Sequence, residues 1–166
     1  MDMRGATTGI TMQGATSGVV MQGFIDTSEL NRFTVVITGS IDPVFTAAAL
    51  ADGDFVWHHP DGVTTFTGKA PASANFDATG EYVLRCTDWT KVTGIDLAGD
   101  AISGDCKDIR SEYVTGNLYL QSTSISGDVA DLACGNVTDN LYLFSTSISG
   151  DVADLDCGNV TDNLYL

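Results

Sequence analysis

The hydrophobic positions in the second half of the chain recur at a fixed interval. Residues 118–140 are repeated at 141–163 with two changes, the repeat starts again at 164–166, and residues 95–117 align with the copies more loosely. A period in the twenties with paired aliphatic residues predicts that copies stack on one another, because one copy has an apolar edge but no closed core. We expect six inward columns of side chains: Ile95/Leu118/Leu141/Leu164, Leu97/Leu120/Leu143/Leu166, Ile102/Ile125/Ile148, Cys106/Val129/Val152, Ile109/Leu132/Leu155 and Val114/Val137/Val160.

Each copy also carries a glycine after its central Ile-Ser pair. These are Gly104, Gly127 and Gly150. We expect them to occupy a turn with positive φ, which glycine adopts without steric cost.

The pattern between residues 32 and 86 alternates with a period of two instead. Residues 32–41 are rich in β-branched side chains and are bounded by turn residues, so they predict a strand. Pro60-Asp61-Gly62 supplies a preset φ followed by a residue that tolerates positive φ, and predicts a tight turn between two strands. Residues 81–86 predict a further strand that places Tyr82, Leu84 and Cys86 on one face.

The composition supports a mainly β fold. The chain has 166 residues, of which 43% are hydrophobic and 18 are glycines, and no apolar run approaches the length needed to span a bilayer. Its 22 acidic and 7 basic residues give a formal charge of -15, which argues against nucleic acid and anionic membranes as partners. We interpret the acidic charge as a means of keeping the protein soluble and making particles repel one another, with cation binding as the alternative.

The first 27 residues are predicted to form a glycine-rich arm. Residues 5–22 contain the nonapeptide GATTGITMQ followed by GATSGVVMQ, and they offer few side chains that could build a core. We expect an arm that orders against a neighbouring protein, with a flexible tail as the alternative. Its candidate assembly residues are Ile10, Met12, Val19, Met21 and Phe24.

Residues 28–90 resemble a PKD-type, immunoglobulin-like domain. The resemblance is carried by Phe55-Val56-Trp57, by Asp61-Gly62 and by residues 78–84, ATGEYVL. It implies a small β-sandwich that acts as a spacer or adhesive module and performs no chemistry. The chain departs from the family at His58-His59-Pro60, where the family has Asp-Phe-Gly.

Residues 91–166 resemble leucine-rich repeats through the motif LxLxxTxISGxVxxL. The resemblance implies a solenoid with a 23-residue period, and is best to the Ser/Thr-containing variants of bacterial and phage surface proteins. We expect the solenoid to be incomplete at its C-terminus: either the natural protein continues beyond Leu166, or another chain covers the open strand edge.

The outward positions of the repeats contain the candidate ligand contacts. Tyr119, Tyr142 and Tyr165 form one column, and Gln121 and Phe144 lie beside it. Such a surface suits a glycan or protein receptor, and the alternative is that stacked tyrosines only stabilise the sheet.

Two columns of aspartates repeat in the same way. Asp128, Asp131, Asp151 and Asp154 either extend into water or share a calcium ion, and no other cofactor is predicted. The four cysteines contain no CxxC pair, and we expect Cys134 and Cys157 to remain thiols because neighbouring in-register strands suit a disulfide poorly.

No enzyme signature is present. The chain lacks the GxSxG, HExxH, P-loop and GxGxxG motifs, and we predict a non-enzymatic protein. Surface-type modules without a secretory signal favour a structural protein of a phage virion, a decoration or fibre protein on the virion surface that is attached through its arm. Its partners would be other virion or surface proteins, further copies in an oligomer or lattice, and a glycan or receptor, with no nucleic acid and no membrane insertion. The alternatives are a secreted bacterial adhesin at the cell surface and a filament subunit.

Overall fold

The computed structural model describes residues 32–166, which form a mainly β protein. Within that range the chain contains short strands connected by loops and single 3₁₀ turns. The strands are β1 Arg32–Ile37, β2 Val44–Thr46, β3 Phe55–His58, β4 Thr65–Thr67, β5 Gly80–Cys86, β6 Gly94–Asp96, β7 Ile102–Asp105, β8 Leu118–Tyr119, β9 Ser124–Asp128, β10 Asn140–Tyr142, β11 Ser147–Ser149 and β12 Asn163–Tyr165. Of the described residues, none belongs to a helix long and apolar enough to cross a membrane.

The strands form two mixed sheets. The seven-stranded sheet has the order β11-β9-β7-β1-β5-β3-β4, and the five-stranded sheet has the order β12-β10-β8-β6-β2. Pairing is parallel within β6-β8-β10-β12 and within β7-β9-β11. It is antiparallel among β1, β3, β4 and β5 and where β2 meets β6.

Both sheets continue across residue 90, the boundary predicted between the two modules. β7 pairs with β1 in an antiparallel arrangement, and β6 pairs with β2. The two segments therefore share both sheets, and their buried side chains form one hydrophobic cluster. Aromatic rings join the sheets inside it: the ring centroids of Phe33 and Phe45 are 5.6 Å apart, and those of Phe45 and Trp57 are 5.9 Å apart.

Two strands predicted in the first segment, at residues 32–41 and 81–86, are confirmed. β1 lies within the predicted strand 32–41, β5 covers the predicted strand 81–86 and begins one residue earlier, and Tyr82, Leu84 and Cys86 of β5 are all buried. The predicted tight turn joins β3 to β4 and Gly62 has a φ of 71°. Asp61 holds that turn, because its carboxylate accepts hydrogen bonds from the amides of Val63 and Thr64 at 2.9 and 2.8 Å. A hydrogen bond from the Thr64 hydroxyl, followed by these two backbone hydrogen bonds, holds the pKa of Asp61 far below its ordinary value.

The aliphatic columns of the repeats lie inside the molecule except at the outer end. Ile95, Leu118 and Leu141 are buried, whereas Leu164, the last member of their column, is 42% exposed. In the five-stranded sheet, residues 23 positions apart are paired, as Leu118 is with Leu141. In the seven-stranded sheet the partners are 21 positions apart, as Ser103 is with Ser124. The 23-residue repeat period therefore equals the spacing between paired residues in the five-stranded sheet but not in the seven-stranded sheet.

The predicted turn position of the repeat glycines is wrong for the first two copies. Gly104 lies in β7 and Gly127 lies in β9, while Gly150 directly follows β11. Their positive φ is as expected, at 152°, 118° and 127°. At Gly127 the backbone also passes close to the preceding copy, since a Cβ there would lie 2.7 Å from Asp105 Oδ1.

Candidate binding surface

The aromatic residues of the repeats form a continuous row on the outer face of the five-stranded sheet. We call Tyr119, Tyr142, Tyr165 and the adjacent Phe144 the tyrosine ladder. Parallel pairing aligns Tyr119 with Tyr142 and Tyr142 with Tyr165, because the three copies are in register. The ring centroids are 5.0 and 4.8 Å apart, close to the strand spacing. The structure therefore brings these four predicted residues together.

The rings of the tyrosine ladder are not coplanar. Tyr119 and Tyr142 are tilted by 53°, and Tyr142 and Tyr165 are nearly perpendicular at 85°. Phe144 contacts Tyr142 at 6.3 Å and Tyr165 at 6.5 Å between ring centroids. This arrangement packs ring edges against ring faces, a favourable geometry for aromatic pairs. The surface is therefore uneven, and it presents hydroxyl groups and ring edges as well as ring faces.

Exposure increases along the ladder toward the outer end. Tyr119 and Tyr142 are half-buried, Phe144 is 40% exposed and Tyr165 is 52% exposed. Burial, followed by the neighbouring charges, raises the pKa of Tyr119, so its phenol stays neutral at physiological pH. The ladder can therefore offer apolar contact and hydroxyl groups to a partner.

Gln121 occupies the position that Phe144 takes one copy later. Its side chain is half-buried, and its Oε1 atom is buried without a hydrogen-bond partner among residues 32–166. The amide of the next residue, Ser122, donates a hydrogen bond to the Phe144 carbonyl at 3.1 Å, so the backbone beside Gln121 is bonded to that of Phe144. Of the predicted contact residues, Gln121 offers less accessible surface than Phe144.

Sequence reasoning missed an asparagine column beside the ladder. Asn140 Nδ2 donates to Asn117 Oδ1 at 2.7 Å, and Asn163 Nδ2 donates to Asn140 Oδ1 at 2.7 Å. The Asn140 amide thus donates to the preceding copy and accepts from the next one. The sequence does contain this pattern, because asparagine recurs at 23-residue intervals as Asn117, Asn140 and Asn163.

The four aspartates that were expected either to extend into water or to share a calcium ion lie at or inside two 3₁₀ turns. Asp128 and Asp151 each precede a 3₁₀ turn and accept a hydrogen bond from the backbone amide two residues later, both at 3.0 Å. Asp131 and Asp154 lie inside these turns and are exposed. Within the described range 32–166, no group of three or more His, Cys, Asp or Glu residues is placed to hold a metal ion.

One carboxylate in the loops is unusual because it is buried. Asp100 is 8% exposed, and its Oδ1 accepts a hydrogen bond from the Asp42 amide at 2.7 Å. Its Oδ2 has no partner among the residues that the structure describes. Burial, and then the charges of Asp42 and Asp96, raises the pKa of Asp100.

The four cysteines are free thiols. Cys134 is fully buried, its Sγ donates to the Asp156 carbonyl at 3.2 Å, and burial raises its pKa to about 12. Cys106 is buried in a column otherwise made of valines and makes the same kind of contact with the Asp128 carbonyl. These thiols therefore act as small apolar side chains.

The candidate arm residues Ile10, Met12, Val19, Met21 and Phe24 lie outside the described residues. Comparisons of the chain with protein-family models, with curated proteins and with solved structures find no match.

Proposed function

We propose that this chain is a non-enzymatic structural protein of a phage virion, a decoration or fibre protein. Its arm would attach it to the particle, and its repeats would display the tyrosine ladder for adhesion or receptor contact. In this proposal the first segment is a PKD-like, immunoglobulin-like spacer. The second is a leucine-rich-repeat solenoid.

The observation that carries the proposal is the exposed aromatic row. Large aromatic side chains are enriched where proteins bind partners, because they supply rigid contact area together with a polar tip. Here three tyrosines share one face at intervals near 5 Å and Phe144 lies beside them, with Phe144 and Tyr165 the most exposed. A charge of -15 keeps copies apart in solution until a specific contact forms.

The solenoid assignment is supported by burial and pairing together. The aliphatic residues Ile95, Leu118 and Leu141 are buried in three successive copies and pair from one copy to the next. Leucine-rich repeats depend on this kind of stacking, in which a copy closes its core only against its neighbours.

The proposed location can be tested on phage particles released by the bacterium that carries the gene. Mass spectrometry of purified particles should detect the chain in fixed proportion to the major capsid protein. Immunogold electron microscopy should label intact particles. Labelling confined to the surface of uninfected cells would contradict the virion proposal and favour the alternative, a secreted bacterial adhesin.

The adhesive role has its own test. We expect purified protein to compete with particles for adsorption to host cells, and the double variant Phe144→Ala/Tyr165→Ala to lose this competition. Val63→Ala is a matched control, because Val63 is 85% exposed but lies in the hairpin between β3 and β4. Equal competition by the double variant and the control would show that the tyrosine ladder is not the contact surface.

A further inference from the structure

A small pocket lies where the start of β1 meets the first repeat copy. It has a volume of about 180 Å³ and is lined by Arg32, Thr34, Lys107, Asp108 and Arg110. This volume is below the roughly 300–1,000 Å³ of pockets that enclose a drug-sized molecule, and it equals the space of about six water molecules. The pocket can therefore hold one small chemical group.

Basic residues gather around this pocket, although the chain is strongly acidic. Arg32, Lys107 and Arg110 line it, in a chain with only 7 basic residues against 22 acidic ones. Arg85 lies close by, because β1 and β5 pair Arg32 directly with Arg85, and directly opposed side chains lie on the same face of a sheet. Opposed like charges repel, so this pairing favours negative charge nearby.

The stacking of the repeats does not explain the basic residues of the first copy. Lys107 and Arg110 are the only Lys or Arg in residues 95–166. Lys107 lies in the 3₁₀ turn Cys106–Asp108, and the matching turns of the next two copies have Ala130 and Ala153 in its place. Alanine therefore suffices at this position for the turn itself, and the lysine adds a charge beside β1.

The basic side chains are held at the pocket by partners within the chain. Lys107 Nζ donates to the Asp105 carboxylate, and this hydrogen bond raises the pKa of Lys107, so the ammonium stays charged at physiological pH. Arg110 donates from Nε to the Arg32 carbonyl at 2.9 Å and from Nη1 to Glu112 Oε1 at 3.0 Å. Both arginines make further contacts as well. An ammonium has three N–H groups and a guanidinium has five, so each can bind several acceptors at once.

The two other lining residues favour a ligand that carries hydroxyl groups. The exposed Asp108 carboxylate can accept a hydrogen bond from an O–H group, and the Thr34 hydroxyl can donate or accept one. A bare anion would be repelled by Asp108. A molecule with hydroxyl groups next to an anionic group can satisfy the carboxylate and the basic side chains together.

We propose that this pocket binds an acidic sugar. Its carboxylate or phosphate group would contact Lys107 and Arg110, and its hydroxyl groups would contact Asp108 and Thr34. Hydrogen bonds from Lys and Arg to such oxyanions are about twice as strong as those between neutral groups. The pocket lies beside β1 of the seven-stranded sheet, whereas the tyrosine ladder lies on the five-stranded sheet. The site therefore goes beyond the proposed function and does not depend on it.

Titration of the full 166-residue chain, followed by the NMR shifts of its backbone amides, tests the site. We expect glucuronate or a glucose monophosphate to shift the amides of Thr34, Lys107 and Asp108 in a saturable way. Glucose, the uncharged probe, should leave them unchanged. A response to only one of the two acidic sugars identifies whether the pocket takes a carboxylate or a phosphate group.

Lys107→Ala should weaken binding at least ~10-fold, because it removes a hydrogen bond between charged groups. The matched control is Lys91→Ala, since Lys91 is exposed and is not among the residues that line the pocket. The control should bind the acidic sugar like the unchanged chain.

The absence of a saturable shift with both acidic sugars would overturn the proposal, and so would equal shifts with glucose. Equal affinity of Lys107→Ala and the unchanged chain would also overturn it. Equal weakening in Lys91→Ala would show a general attraction of charge without a site. These results are independent of whether the chain is found in phage particles, so failure of the pocket and failure of the proposed function can be distinguished.

Discussion

Replacement of Gly127 by alanine tests how closely the repeat copies stack. Gly127 has a φ of 118°, and an added Cβ would lie 2.7 Å from Asp105 Oδ1 and 2.9 Å from Cys106 Sγ. The backbone conformation alone costs a non-glycine residue about 1–3 kcal/mol. Overpacking against the preceding copy adds about 1–3 kcal/mol, because both contacts are tighter than normal van der Waals distances. We expect Gly127→Ala to lower the free energy of unfolding by about 3 kcal/mol, within the sum of those ranges.

Denaturant and thermal unfolding measure this loss, followed by the fluorescence of the buried Trp57 and Trp89. A loss of that size lowers the Tm of a domain this long by roughly 6–12 °C. Gly158→Ala is the control, since a Cβ there meets no atom within 4 Å, and it should change stability by less than about 0.5 kcal/mol. A loss below about 1 kcal/mol for Gly127→Ala, or one equal to that of Gly158→Ala, would refute the close stacking.

Three further predictions concern the polar and thiol groups inside the fold. Because the folded-state pKa of Asp100 is raised, its contribution to stability falls as pH rises from its ordinary value through the raised value. Asp100→Asn should therefore be more stable than the unchanged chain at pH 7 but not at pH 3, as measured by urea unfolding at both. Asn140→Ala should cost about 1–2 kcal/mol, and Asn163→Ala about half as much, because Asn140 bonds to both neighbours in its column and Asn163 to one. Cys134 should resist thiol reagents at pH 8 until the chain unfolds, whereas the half-buried Cys157 should react first, in alkylation followed by mass spectrometry.

The periodic features of the fold could be read from the sequence because they are local. Alternation places Tyr82 and Leu84 on a buried face whatever the strands pair with, and repetition places Leu118 and Leu141 in one column. The positive φ of Gly127 was also predictable, since few other residues accept it. These conclusions depend on residue spacing alone.

The pairing between segments could not be read in this way. β1 could pair with any exposed strand edge, and nothing local in its sequence selects β7 on one side and β5 on the other. The consequence is that a boundary near residue 90, visible as a change of pattern, interrupts neither sheet.

The sequence predicted which residues form the candidate surface, but not the angles between their rings. Repetition predicted that Tyr119, Tyr142 and Tyr165 lie in one column, which the strand register shows. The 53° and 85° ring tilts depend on side-chain packing, which spacing does not determine. The capping contact of Asp128 with a 3₁₀ turn was not predicted, because an acidic column in the sequence does not show which amide a carboxylate accepts a hydrogen bond from.

The parallel stacking of the repeat copies requires hydrogen bonds between the backbones of successive copies, and these bonds can be observed directly. Through-hydrogen-bond couplings between amide nitrogen and carbonyl carbon can be measured by NMR on the labelled chain. We expect a coupling from the Leu120 amide to the Tyr142 carbonyl and another from the Leu143 amide to the Tyr165 carbonyl. The donor–acceptor distances of these two hydrogen bonds are 2.9 and 2.7 Å. Coupling of these amides to any other carbonyl would contradict the parallel ladder, and with it the tyrosine surface.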